Sequence, residues 1–141
     1  SLGIIDETGY LENGPTVIMP PVCITQNDVR AIQLAKSAIH AGLRTLVHTA
    51  GLDVSDVETL YIAGGFGSYL NVANAAAIGL IPAELKDRVK VVGNAALSGA
   101  SMLLLCRGLR EKCGLIASGC RIAELTTDPY FTEEYMERML F

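Results

Sequence analysis

The sequence is poor in residues on which several classes of binding protein depend. Its 141 residues include no tryptophan, and only 6% are aromatic and 18% charged. So few aromatic side chains provide no stacking platform for single-stranded nucleic acid. The 11 basic and 15 acidic residues give a net charge of −4, with no basic run. Nucleic acids and anionic membrane surfaces are therefore disfavoured as partners.

Long apolar runs and targeting signals are also missing. The longest apolar stretches, 60–63 and 100–106, are far too short to span a bilayer, and no charged-then-apolar leader opens the chain. We therefore expect a cytoplasmic protein without membrane partners. Because the chain begins with Ser1-Leu2 and not with methionine, we interpret these two residues as vector-derived.

The four cysteines have no spacing that is typical of a metal site. They are Cys23, Cys106, Cys113 and Cys120, and the last three recur every seven residues. We interpret all four as free thiols in the core or at its boundary, and we predict no metal site. Cys106 and Cys113 are expected on one face of a helix, with Cys120 at or beyond its end.

The order of elements indicates an α/β protein. A hydrophobic content of 50% can form a compact core. An irregular β segment over 1–24 precedes the following predicted elements: a helix from Thr25 to about Ala50, a strand 59–63, a short helix 71–78, a helical turn 82–87, a strand 89–92, a helix 95–113, a strand 121–125 and a helix 131–140. This alternation favours a small mixed sheet flanked by helices. So few strands suggest half of a larger domain.

The long helix has the clearest local signals. Thr25 followed by Asp28 is a typical helix start, and Gly51 is a typical stop. Apolar residues recur at intervals of three and four and predict the core face, at Val29, Ile32, Ala35, Ile39, Leu43 and Leu46. The face with His40, Arg44 and His48 is predicted to be solvated.

Two glycine-rich turns, each between an apolar run and a small-residue helix, are the most informative motifs. They are LYIAGGFGSYL over 60–70 and VVGNAALSGA over 91–100. Small side chains let the backbone approach a flat or charged ligand, and helix N-termini offer free N–H groups. We expect both turns at the carboxyl ends of neighbouring strands, where open sheets bind ligands. The sequence therefore predicts nucleotide binding.

The spacing in these turns excludes the commoner phosphate-binding motifs. Three residues after Gly67 stands Leu70, where a dinucleotide fingerprint has its third glycine. Neither turn ends in the Gly-Lys-Ser/Thr of a P-loop. A tight turn with a purely structural role remains an alternative for the first motif.

Several segments in this order carry a family resemblance. They are ITQNDVRAIQLAKSAI over 24–39, LYIAGGFG over 60–67, VGNAALSGA over 92–100, DPYF over 128–131 and YMERMLF over 135–141. Together they resemble the carboxyl-terminal part of the reductive activators of corrinoid proteins, members of the actin-like ATPase (ASKHA) superfamily. The resemblance implies a partial RNase H-like subdomain, with 25–141 as the carboxyl-terminal half of an actin-like ATPase domain.

The resemblance also implies roles for named residues. The adenosine motif of the superfamily matches Ala63, Gly64, Gly65, Phe66, Gly67 and Ser68. The second connecting motif, at the interdomain hinge, matches Gly93, Asn94 and Gly99. The helix beside this cleft carries Gln26, Asp28 and Lys36, which we expect to line it. No catalytic residue is expected in this part of the protein.

For the whole protein, the resemblance implies an ATP-dependent, iron–sulfur reductive activator that returns an inactive Co(II) corrinoid to Co(I). ATP and magnesium would act in the full-length protein, and the iron–sulfur cluster would lie in a domain absent from this chain. The Asp-x-Gly-Thr phosphate loops of the superfamily are missing, since Asp6-Glu-Thr-Gly9 has the wrong residues. We therefore expect no ATPase activity and no tightly bound cofactor in this chain alone, and a corrinoid protein as partner of the full-length protein.

Other classes of function stay open at the level of sequence. A small-molecule kinase of the same superfamily would share this cleft. A non-catalytic interaction module could form a homodimer through an exposed edge of the half-domain. A redox role for Cys106, Cys113 and Cys120 is a further alternative.

Overall fold

The computed structural model describes residues 4–141 and is built around one long helix, α1, over Gln26–Thr49. The helix begins with a capping box. The Thr25 hydroxyl accepts from the Asp28 amide, and the Asp28 carboxylate accepts from the Thr25 amide at 2.8 Å. This reciprocal pair satisfies amides that a helix start otherwise leaves free. After the helix, Gly51 takes a φ of +71°, which glycine adopts readily. The predicted start and stop are both confirmed.

The strands form two separate pairs in the part of the chain that the structure describes. Strands β1 (Thr16–Met19) and β2 (Val22–Ile24) form an antiparallel hairpin around Pro20-Pro21. Strands β3 (Leu60–Ala63) and β4 (Val89–Gly93) pair in parallel. The predicted α/β class is confirmed, with the strands arranged as two small sheets.

Four further helices follow α1 along the described chain. They are α2 (Val72–Ala77), α3 (Ala95–Leu105), α4 (Gly108–Gly119) and α5 (Pro129–Glu137), with a 3-10 segment at Ala83–Arg88. Asn71, Asn94 and Asp128 cap three of them, each accepting from an amide of the first turn. No described helix combines the length and apolarity needed to cross a bilayer.

The predicted single helix over 95–113 is wrong, because α3 and α4 are separate. Cys106 is extended, with φ −129° and ψ 103°, and Gly108 begins the next helix. Glycine within a helix costs about 1 kcal/mol relative to alanine, and the junction at 106–108 is exposed, so no packing among the described residues offsets that cost. Cys106 and Cys113 therefore do not share a helix, whereas Cys120 does cap the end of α4. All four thiols are free and exposed, so none lies in the core.

The predicted strand over 121–125 is also wrong. These residues follow α4 as irregular chain. Their alternating pattern lacks a neighbouring strand to pair with, and an unpaired strand has no ladder of hydrogen bonds to hold it.

The two faces of α1 are the reverse of the prediction over much of its length. Val29 is buried and Leu43 half-buried, but Ile32, Ile39 and Leu46 are 40%, 51% and 56% exposed. The buried polar residues of the helix are Gln33, Lys36, Ser37, His40 and Thr45. The polar face is buried because the turn near Thr8 and the C-terminal segment offer it backbone hydrogen-bond partners. The apolar stripe stays exposed among the residues that the structure describes.

A turn at the start of the described chain packs against this polar face. The Asp6 carboxylate accepts from the amides of Thr8 and Tyr10 at 2.9 Å and 2.8 Å, which lowers the pKa of Asp6. Gln26 fastens the turn to α1, donating to the Gly9 carbonyl at 2.6 Å. Ser1 and Leu2, interpreted as vector-derived, lie outside the described residues.

The small hydrophobic core lies between α1, α2, α5 and the 3-10 segment. Its buried apolar side chains are Leu11, Val29, Ala41, Ala75, Ile81 and Leu85. This core fixes the position of α2 and of the 3-10 segment that leads into β4, and therefore the edge at which the glycine turns lie.

Candidate functional site

The two glycine turns lie side by side. Parallel pairing of β3 with β4 brings Ala63 opposite Gly93, and the Gly64 amide donates to the Gly93 carbonyl at 2.7 Å. Gly64 and Gly93 have φ values of +101° and +61°, which disfavour any residue with a side chain. The backbone can turn sharply here because both positions are glycine. Adjacency of the turns at the carboxyl edge is therefore confirmed.

The glycines of the first turn differ in what surrounds them. A Cβ atom on Gly67 would lie 2.5 Å from Ile62 Cγ2, so this buried glycine is required by packing of the turn on β3. A Cβ on Gly65 would meet no atom within 4 Å, and its φ is not positive. Nothing within residues 4–141 requires glycine at position 65, so its small size leaves open space above the backbone.

The polar side chains of the turns are only partly engaged. The Asn94 side-chain oxygen accepts from the Leu97 amide at 3.0 Å and caps α3. The Ser68 hydroxyl reaches the Gly64 carbonyl at 3.5 Å. Gly99 lies within α3, where a Cβ would meet open space. The amide end of α3 thus opens beside the first turn, and such helix starts favour negative groups.

An apolar groove adjoins the first turn and contains residues that sequence reasoning missed. Its volume is about 340 Å³, and its lining residues are Phe66, Tyr69, Leu70, Asn71, Asn74, Ala75 and Ile78. Phe66 and Tyr69 are 77% and 93% exposed. Aromatic side chains left in solvent beside a glycine turn suit a flat ligand. The sequence feature that could have identified Tyr69 is its position directly after the glycines of the first turn.

The three predicted cleft residues of α1 form hydrogen bonds elsewhere. Gln26 binds the backbone of Gly9, and Asp28 belongs to the capping box, where hydrogen bonds from Thr25 lower the pKa of Asp28. Lys36 donates to the carbonyls of Arg138 and Leu140. Their cleft role stays a prediction.

Of the cofactors expected for the full-length protein, the residues of this chain fit the adenosine part of the nucleotide. The open backbone over Gly65, with Phe66 and Tyr69 beside it, can accommodate the base and sugar of a nucleotide. The described residues include no group of three or more potential metal ligands from His, Cys, Asp and Glu. The cysteines, scattered over Cys23, Cys106, Cys113 and Cys120, do not fit an iron–sulfur cluster.

This fold and this edge define the class of protein. A parallel strand pair carries glycine turns at its carboxyl edge, as the resemblance to the carboxyl-terminal part of an actin-like ATPase domain implies. The family model described as the C-terminal domain of RACo, the ASKHA domain, matches residues 8–141.

Known proteins with similar sequences act on corrinoid proteins. The corrinoid activation enzyme RamQ of Eubacterium limosum is 43% identical over 120 residues, which are 85% of this chain and 20% of that protein. A Co(II) methylated amine-specific corrinoid protein reductase of Methanosarcina barkeri is 33% identical over 103 residues, 73% of this chain and 19% of that protein. This chain thus spans about a fifth of the length of these relatives.

A solved structure has the same fold. The reductive activator for a corrinoid, iron–sulfur protein superposes with a TM-score of 0.82 at 29% identity, over 98% of this chain and 25% of that one. The chain therefore belongs to the family of ASKHA carboxyl-terminal domains of corrinoid reductive activators, and the resemblance inferred from the motifs is confirmed.

Proposed function

We propose that this chain forms the adenosine side of the nucleotide site in an ATP-dependent activator that restores Co(I) in corrinoid proteins of methyl transfer. The observation that carries the proposal is the pairing of two glycine turns at one sheet edge, with open space above Gly65. The names of the relatives support the corrinoid protein as partner and substrate.

In this proposal the chain's residues bind and orient the nucleotide. The backbone at Gly64 and Gly65 approaches the adenosine, and Phe66 and Tyr69 provide apolar contact with its base. Gly93 and Asn94 connect this edge to α3, which shifts when the cleft closes. Bound ATP supplies a difference in affinity between two conformations, and such a difference can drive an unfavourable electron transfer.

The phosphate side and the redox centre are proposed to lie in the rest of a longer polypeptide. This chain lacks the Asp-x-Gly-Thr loops, and its cysteines do not fit a cluster. ATP, magnesium and the iron–sulfur cluster therefore belong to the full-length protein in this proposal. The chain alone is expected to have no ATPase activity.

Gly65→Val tests the nucleotide site. In the full-length protein we expect the affinity for ATP to fall by about tenfold or more, because the valine fills space that the ligand needs. Stability should change by no more than about 0.5 kcal/mol, since position 65 is open and its φ is ordinary. Isothermal titration calorimetry with a non-hydrolysable ATP analogue measures the first effect, and urea unfolding measures the second.

Gly114→Val is the matched control, because Gly114 also faces open space but lies on α4. It should keep full nucleotide affinity. Unchanged affinity in Gly65→Val, with Gly114→Val as the reference, would contradict the adenosine-side role and favour the non-catalytic interaction module.

A visible absorption spectrum tests the redox part of the proposal. We expect the full-length protein, purified without air, to show charge-transfer bands that bleach on reduction, as iron–sulfur clusters do. Their absence, with iron content measured as nil, would reject the reductive role and leave a kinase-like ATPase.

A further inference from the structure

The apolar groove beside the first glycine turn has few polar side chains in its wall. They are the phenol of Tyr69 and the carboxamides of Asn71 and Asn74. The other lining side chains carry no hydrogen-bonding group, and none of the lining residues is charged. A ligand site of this kind gains affinity from apolar contact, whereas its few polar groups set the orientation and the selectivity. These polar side chains therefore decide which base the groove accepts.

Two of these side chains offer little for recognising a base. The Asn71 side-chain oxygen accepts from the Asn74 backbone amide at 2.9 Å and so caps α2. With its oxygen engaged in the cap, Asn71 presents only its NH₂ group to a ligand. Tyr69 is exposed, and its single hydroxyl contacts one position on the edge of a base.

Asn74 presents its whole carboxamide to the groove. The side chain is exposed in the first turn of α2, and it forms no hydrogen bond within residues 4–141, although the backbone amide of the same residue does. Asparagine is also a weaker helix former than alanine or leucine, so the helix itself does not favour it at this position. Both the oxygen and the NH₂ group of Asn74 remain available to a ligand.

A carboxamide with both groups available is complementary to adenine. Adenine carries an exocyclic amino group, which donates, directly beside a ring nitrogen, which accepts. Asparagine pairs with these two positions through two parallel hydrogen bonds, in which Oδ1 accepts from the amino group and Nδ2 donates to the ring nitrogen. Neither bond requires a charged residue, in agreement with the uncharged wall of the groove.

We propose that Asn74 selects the base of the nucleotide by accepting a hydrogen bond from the exocyclic amino group of adenine. This inference rests on the proposed nucleotide site and adds the residue that determines its specificity. Phe66 and Tyr69 provide apolar contact with the base, and Asn74 contacts its edge. A purine nucleotide without the amino group should therefore bind more weakly.

Purine riboside triphosphate, which is ATP without the exocyclic amino group, isolates this contact. Calorimetry on the full-length protein compares its affinity with that of ATP. We expect ATP to bind about fivefold more tightly, through one additional hydrogen bond. In Asn74→Leu the two nucleotides should bind alike, because leucine cannot accept a hydrogen bond. In Asn74→Asp the preference for ATP should persist, because a carboxylate oxygen still accepts from the amino group.

Asn27→Leu is the matched control. Asn27 is also exposed in the first turn of a helix, α1, and it lines a different surface hollow. This variant should keep the full preference for ATP. Asn74→Ala replaces Asn74→Leu if the leucine prevents folding, since alanine is the best helix former and also cannot accept.

The outcomes separate this inference from the proposed nucleotide site. Equal affinity of the unmodified protein for the two nucleotides would overturn the role of Asn74 and leave the nucleotide site standing. A preference that survives in Asn74→Leu, or that is lost in Asn74→Asp, would overturn it as well. Absence of binding of either nucleotide to the unmodified protein would reject the nucleotide site and this inference together.

Discussion

At the scale of single residues, His40 links the stability of the fold to pH. Burial lowers the pKa of His40 below its ordinary 6.5, and repulsion from Arg138 and Arg44 adds to this, against a hydrogen bond to Gly79 that raises it. The unfolded chain therefore binds a proton at a pH where the folded chain does not. Where the unfolded state binds more protons, stability increases with pH. The free energy of unfolding should thus fall as the pH drops below about 6.5.

Urea unfolding between pH 7.5 and pH 5 measures this effect. We expect stability to fall across this range and the fall to be much smaller in His40→Gln, which keeps a donor for the Gly79 carbonyl. His48→Gln removes an exposed histidine of the same helix and should leave the dependence intact. An identical pH dependence in His40→Gln would show that other groups are responsible. The candidates are Lys36, Glu84 and Glu137, which line one cavity with His40, and Glu134, which pairs with Arg44.

The glycines show what a sequence can and cannot give at this scale. The order of strands and turns was enough to predict that the two motifs meet at one edge. It could not separate Gly65 from Gly67, because the difference depends on Ile62 lying against one and open space above the other. For the same reason Tyr69 and its groove were missed, since exposure is a property of the folded chain.

At the scale of elements, α1 was predicted correctly as a helix and incorrectly in its packing. Capping residues and periodicity are local, so its bounds could be derived from the sequence. Which face of α1 is buried depends on the segments that pack beside the helix. Lys36 and Gln33 are buried because backbone carbonyls of the C-terminal segment accept their hydrogen bonds, including Met139 at 2.7 Å. Periodicity alone could not show those distant partners.

Two substitutions compare the buried and the unpartnered apolar positions. Leu85 is 0% exposed, so Leu85→Ala should destabilise the protein by about 2–5 kcal/mol. Ile39→Ala should cost the 141-residue chain no more than about 0.5 kcal/mol, because Ile39 is 51% exposed. If the rest of a longer protein covers the stripe, Ile39→Ala will cost more there. Chemical denaturation of both lengths measures this difference, and equal costs would contradict such covering.

At the scale of the whole molecule, the chain exposes more apolar surface than a self-contained domain needs. On α3 and α4, Leu104, Leu105 and Leu115 are 79%, 89% and 74% exposed. We call these three leucines the exposed patch, and exposed apolar surface of this kind is typical of interfaces. The chain also spans about a fifth of its relatives' length. The few strands of the sequence also favour half of a larger domain, and this stays a prediction.

The exposed patch leads to a prediction for the chain by itself. Without a covering segment, apolar surfaces associate, so we expect the 141-residue chain to form dimers or larger species as its concentration rises. Light scattering coupled to size-exclusion chromatography measures this. The double variant Leu104→Lys, Leu105→Lys should shift the equilibrium towards monomer. Leu85→Lys cannot serve as a control for added charge, because it would unfold the core. A chain that stays monomeric at every concentration would contradict the homodimer that the sequence left open. Self-association of the chain that disappears in the full-length protein would instead assign the patch to contacts within one polypeptide.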